Sequence, residues 1–262
     1  MPIRVGVQVQ PQHADFAQMR EAWRQAEELG ADSIYTWDHF YPLYGDPDGK
    51  HFEGATSLTA LAASTERAQI GALVFCNSYR NPQLLANIHS TIDHLSGGRV
   101  ILGIGAGWFE RDYDEYGYEF GTAPQRLKAL GRDLPLIKER LRKVNPLPLG
   151  QIPIMIGGAG EKVTLRLVAQ HAQLWHTFAD PDTYQHKSQV LAEHCAKIGR
   201  DPATIERVIG VQGGIEKHAD ALADAGVNEL TVGVGGGPDG GYDLSELREL
   251  LHWRDRRNAS AT

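Results

Sequence analysis

The chain has 262 residues, 42% hydrophobic and 23% charged, enough to bury a sizeable core in one large domain or two small ones. With 33 acidic residues against 26 Lys and Arg the formal net charge is −7, which leaves no basic surplus for a nucleic-acid backbone. No apolar run approaches the ~20 residues of a membrane span, and two distant cysteines, Cys76 and Cys195, speak against a disulfide scaffold or a zinc-thiolate site.

The first residues, Met-Pro-Ile-Arg-Val-Gly-Val, enter a strand pattern without the regions of a signal peptide, so a soluble cytoplasmic protein is expected. From there, short apolar segments alternate with longer segments of helical period. Strands are predicted at residues 3–9, 33–37, 69–75, 100–104, 153–156, 172–176, 207–211 and 229–234. Helices are predicted at residues 16–29, 56–65, 82–95, 124–143, 162–170, 181–198, 216–225 and 244–253. Gly30, Gly199 and Gly226 follow helices as C-terminal glycines do, Pro82 follows Asn81 at a helix start, and Asp180 precedes Pro181 as a cap. No linker or composition shift divides the chain, so residues 1–262 are expected to form a single domain. Eight βα units in ~250 residues predict an α/β fold, a (β/α)8 TIM barrel, with an open doubly wound sheet as the alternative. In such a barrel, chemistry collects in the loops after the strands.

The second predicted strand runs into Asp38-His39, which would put an ionisable imidazole at the barrel mouth; a structural His bonded to backbone is the plain alternative. Residues 41–54 form a long loop, readable as a lid or as a solvated surface loop. The fourth strand ends in Gly103-Ile104-Gly105-Ala106-Gly107, a GxGxG spacing that lets a ligand approach the backbone but is not the dinucleotide fingerprint. Trp108, Phe109, Tyr113, Tyr116 and Tyr118 then supply aromatics for a pocket or for the barrel rim. The fifth strand ends in Gly157-Gly158-Ala159-Gly160-Glu161-Lys162 and opens directly into a helix, an arrangement suited to a phosphate. Gly235-Gly236-Gly237-Pro238 reads as a flexible turn. Eleven histidines show no metal-ligand spacing, no GxSxG elbow is present, and Cys76 reads as a packed thiol.

Four stretches, Ser33 to Phe40, Cys76 to Pro82, Asp93 to Trp108 and Ile154 to Lys162, together resemble the luciferase-like monooxygenase superfamily, and within it the branch that uses the deazaflavin coenzyme F420. The resemblance runs over nearly the whole chain and implies a homodimeric, luciferase-like (β/α)8 F420-dependent oxidoreductase acting on a small molecule. The deazaflavin would lie across the mouth, with its phosphate at Gly157 to Gly160 and Glu161 beside it. A non-proline cis peptide would back the ring near Leu73-Val74, and Asn77 with Gly105, Ala106 and Gly107 would complete the cofactor set. His39 would move the proton that accompanies hydride transfer, with Asp38 tuning it; Gln8, Trp108 and Phe109 are assigned to the substrate pocket. Some relatives carry a catalytic Glu where this chain has Trp108, and a pocket Trp where it has Leu43. The other readings are an FMN-dependent monooxygenase of the same superfamily, a non-catalytic F420-binding protein, and an NAD(P) dehydrogenase.

Overall fold

The computed structural model describes residues 2–211, 214–237 and 241–260, and in these nine parallel strand segments alternate with helices. The strands are β1 (Arg4–Val9), β2 (Ser33–Thr36), β3 (Gln69–Ala72), β4 (Phe75–Cys76), β5 (Leu102–Gly105), β6 (Ile154–Gly157), β7 (Leu174–Ala179), β8 (Glu206–Val211) and β9 (Glu229–Val234). The helices are α1 (Phe16–Leu29), α2 (Gly54–Ser64), α3 (Pro82–Ser96), α4 (Glu110–Tyr116), α5 (Ala123–Leu141), α6 (Thr164–His171), α7 (Pro181–Ala196), α8 (Ile215–Asp224) and α9 (Ser245–Ser260).

Local chemistry sets the boundaries. Asp15 and Gln18 form a capping box at the start of α1, and Gly30 ends it in the left-handed region at φ 100°. Asn81 accepts from Gln83 N and Leu84 N at the start of α3, with Pro82 behind it, and Asp180 Oδ1 accepts from Thr183 N at 2.8 Å to start α7.

The strands pair in the order β3-β2-β1-β9-β8-β7-β6-β5-β4. A parallel bridge from Ile70 to Val100, with Ile101 N donating to Ile70 O at 2.7 Å, brings the two ends together. The arrangement is the barrel, not the open sheet. The expected strand at 69–75 is split at the cis Leu73–Val74 peptide: β3 before it pairs with β2, and β4 after it pairs with β5. Inside the barrel Tyr35, Leu73, Ile101, Met155, Leu174 and Val208 pack together, while a larger apolar shell joins the strands to the helices. Tyr35 reaches down to the fully buried Glu229, donating to Oε1 at 2.9 Å; Arg4 lies 3.3 Å from Oε2. Burial raises the Glu229 carboxyl, with Arg4 opposing. Among the described residues no helix is long and apolar enough to cross a membrane.

The loop between β2 and α2 is tied down. His13 N donates to Lys50 O and Phe52 N to Pro11 O, and Trp37 Nε1 donates to His51 Nε2 at 2.8 Å. Arg111 stacks over Tyr41 and reaches Asp48.

Burial also keeps three histidines neutral. His51, His89 on α3 and His176 on β7 are each pushed down to about 4, first by desolvation. Between that value and the ordinary ~6.5, the unfolded chain binds more protons than the folded protein. Stability is therefore complete above ~6.5 and falls as pH drops toward 4, by up to roughly 1.4 kcal/mol per pH unit for each fully buried ring. Thermal scans are expected to show a melting temperature that declines from pH 7 to pH 5, with a shallower decline in His89→Gln. A melting temperature that stays flat over that interval contradicts the assignment.

Candidate active site at the barrel mouth

The C-terminal ends of the strands enclose a cavity of about 350 Å³. Leu73 and Val74, on either side of the cis bond, form a shelf in its wall, facing the ends of β5 and β6. The glycines at those ends are what let the shelf come so close. A Cβ at Gly105 or Gly157 would sit 2.8 or 2.9 Å from Val74 Cγ2. Gln8 does not line the cavity. Its Nε2 donates to Leu73 O at 2.9 Å, so it holds the shelf from behind instead of contributing to a substrate pocket.

His39 lines the cavity, ringed edge-on by Trp37, Trp108 and Phe109. Its Nδ1 lies 2.7 Å from Asp112 Oδ2, on the first turn of α4. A carboxylate only accepts, so Nδ1 carries the hydrogen and Nε2 is the nitrogen left to the cavity. Asp112 is fully buried and accepts three further bonds: Tyr79 OH at 3.0 Å, and the Phe40 and Tyr41 amides at 3.1 Å each. Tyr79 is itself buried, and desolvation drives its phenol far above its ordinary value, so it stays a donor to Asp112. Sequence reading missed Asp112 because the seven-residue α4 lies inside what looked like an aromatic loop.

Asp38 was expected to tune His39, and here the structure corrects the assignment. Its two oxygens take Arg80 bidentately at 2.7 and 2.8 Å, and Oδ2 also accepts Cys76 N at 2.9 Å. Arg80 pairs in turn with Glu53, which caps α2 through Ala55 N and Thr56 N. Asp38 thus clamps β2 to β4 and to α2. Cys76 is a packed thiol beside Tyr113 OH, 3.1 Å away, and burial pushes it up to about 11.

The remaining expected residues divide. Gly105, Ala106, Gly107, Trp108, Gly157 and Gly158 line the cavity with the shelf; Asn77, Phe109, Ala159, Gly160 and Glu161 do not. Asn77 Nδ2 donates to Asp133 on α5 at 2.9 Å, and Phe109 stands behind His39, 5.5 Å between ring centroids. The glycine turn does not open directly into a helix: α6 begins at Thr164, with no side-chain cap. Glu161 turns away toward α7. His186 and Lys187 donate to Oε1 at 2.9 and 2.5 Å and hold the carboxyl below its ordinary value, Lys187 first; His194 Nε2 lies 2.7 Å from the Glu161 carbonyl. Pro238 lies outside the described residues. His176 and Phe178, both missed, complete the cavity from β7. The signal was available for His176, which ends a predicted strand.

The family profile described as luciferase-like monooxygenase matches residues 1–130 and 131–255. The chain belongs to the luciferase-like monooxygenase family. Within it, the chain is 28% identical over 241 residues to an F420-dependent glucose-6-phosphate dehydrogenase of Microbacterium testaceum, covering 84% of this chain and 70% of that one. It is 37% identical over 117 residues to a protein of the same name from Amycolatopsis mediterranei, covering 44% of this chain and only 34% of that one. The barrel also superposes on a solved F420-dependent secondary alcohol dehydrogenase in complex with an F420-acetone adduct, at TM-score 0.79 and 17% identity, over 89% of this chain and 93% of that one. At that identity the superposition speaks for the fold of this luciferase-like protein.

Proposed function

We propose that this protein is an F420-dependent oxidoreductase that moves a hydride between the deazaflavin C5 and a small, uncharged organic substrate, with His39 handling the proton. The single observation that carries the reading is the His39–Asp112 pair beside the Leu73–Val74 shelf, in a family whose F420-dependent members match this chain.

The residues present suit the coenzyme. A flat ring fits against the Leu73–Val74 shelf, which lines the cavity together with Gly105, Gly107 and Gly157. Past Gly158, whose N–H donates to His176 O at 2.9 Å, the rest of the glycine turn and the uncapped start of α6 offer backbone N–H groups to a phosphate. When bound, the deazaflavin would supply hydride donation and acceptance at C5.

The chain's own part is to orient and exclude. Asp112 holds His39 Nδ1–H, so the proton is given or taken at Nε2. For oxidation of an alcohol, the Nε2 lone pair would take the hydroxyl proton, leaving an imidazolium balanced by Asp112; for reduction of a carbonyl, that doubly protonated ring would give the proton on Nε2 back to oxygen. Trp108, 64% exposed, and Phe178, 52% exposed, stand at the opening and can cover a bound substrate. No Lys or Arg lines the described cavity, whereas Trp108 does, and the family resemblance puts Trp108 where some relatives carry a catalytic Glu. Both features favour a neutral substrate over a sugar phosphate.

Titration of the purified protein with F420 and, in parallel, FMN and NADP tests the cofactor. Micromolar or tighter F420 binding with FMN at least tenfold weaker is expected. Preferential FMN binding sinks the deazaflavin assignment in favour of a flavin enzyme.

A further inference from the structure

One side chain in the cavity wall is polar, buried and without a protein partner at one of its nitrogens. On β7, Leu174 faces the barrel interior, His176 follows on the same face, and Phe178 stands above it at the mouth. His176 Nδ1 lies 3.0 Å from Val208 O, and a carbonyl only accepts, so Nδ1 carries the hydrogen and Nε2 keeps its lone pair. The residue is 4% exposed, and Nε2 has no hydrogen-bond partner. Other described side chains also carry an orphan buried atom, but of these His176 is the one that lines the cavity.

The ring is held in place. Phe178 meets it edge-on, 5.1 Å between centroids, and Phe178 is itself seated on Gly210, where a Cβ would lie 2.3 Å from the aromatic ring. His176 is also the ladder partner of Gly157, the residue that packs against Val74, so the lone pair belongs to the end of the shelf nearest the barrel interior. Burial holds the imidazole neutral, pushed down to about 4, so the acceptor is present at physiological pH. A buried acceptor left unmade is unfavourable, and a ligand that supplies the missing donor gains accordingly.

We propose that His176 Nε2 accepts a hydrogen bond from the imide N–H of the bound cofactor ring and anchors the edge of the heterocycle that enters deepest. The proposal rests on the cofactor reading above, and deepens it by naming the group that recognises the ring, apart from the phosphate tail. Two things follow. His176 selects for a ring with an N–H at that edge, and it is a binding residue with no share in proton transfer.

The test is equilibrium binding, without turnover. F420 and an F420 derivative methylated at the imide nitrogen are titrated into the wild type, His176→Leu and His176→Gln. His176→Leu is expected to weaken F420 binding about 10- to 100-fold, and His176→Gln, whose amide oxygen restores an acceptor, to recover most of it. The methylated derivative should lose a similar factor on the wild type and bind His176→Leu no worse than F420 does. Equal binding of F420 and the methylated derivative by the wild type overturns the proposal, and that comparison stands even if His176→Leu fails to fold. Unchanged F420 affinity in a folded His176→Leu overturns it as well. A wild type that binds no F420 overturns the cofactor reading itself, which separates the two failures.

Discussion

Asp112→Asn is expected to lower turnover by about 10²- to 10⁴-fold while F420 affinity stays within a few-fold. The reason is geometric. An asparagine can keep its oxygen on the Phe40 and Tyr41 amides, which Asp112 Oδ1 now accepts, so the loop after β2 stays in place. Its NH₂ then falls where Oδ2 meets His39 Nδ1, and a donor there forces the imidazole hydrogen onto Nε2. The wrong tautomer faces the cavity, and Tyr79 OH loses its charged acceptor. The diagnostic readout is the pH profile of turnover together with the ¹⁵N tautomer signature of His39: both should change in Asp112→Asn, and His39→Ala should lose at least as much activity. Turnover within fivefold of wild type, with the His39 tautomer unchanged, would show that Asp112 only braces the loop.

Gly107→Ala should cost roughly 3 kcal/mol or more of stability, a fall of about 6–12 °C in melting temperature for a chain of this size. Gly107 has φ 82°, a conformation L side chains rarely adopt, and an added Cβ would lie 2.0 Å from Tyr113 Oη and 2.6 Å from Cys76 Sγ. Tyr113 is fully buried between Phe120 and Tyr79, so it cannot yield without moving the phenol that supports Asp112. Gly98→Ala provides the control. Its φ is 90°, but nothing lies within 4 Å of the added Cβ, so it should show only a backbone cost of about 1 kcal/mol. Equal losses in the two variants would assign the whole effect to backbone conformation and remove the steric argument.

Much of the fold was legible because strand and helix periods are local properties, punctuated by Gly30, Asn81-Pro82 and Asp180, and each of those caps is where it was expected. The split of the third strand was legible only through family resemblance; no period or propensity in Gly71-Ala72-Leu73-Val74 marks a cis bond. The site divides along the same line. Gly105, Gly107 and Gly157 could be found because close backbone approach demands glycine, and His39 because it follows a strand. Asp112, by contrast, lies 73 residues from the ring it orients, and nothing in the chain announces the pairing. Asp38 was misassigned for the converse reason. Adjacency in sequence suggested a partner for His39, but although both residues line the cavity, the Asp38 oxygens are taken by Arg80 and Cys76 N. Glu161 shows the same effect in the turn before α6, where its charge pairs with His186 and Lys187 of α7.

The proposed mechanism depends on where the coenzyme sits and which nitrogen of His39 meets it. A crystal structure of the protein soaked with F420 tests this most directly. The predicted result is the ring against Leu73–Val74, the phosphate at Gly157 to Gly160, and His39 Nε2 facing the space beside C5 while Nδ1 remains on Asp112. A ring bound outside the cavity, or His39 turned away from it with Asp112 unpaired, would contradict the account.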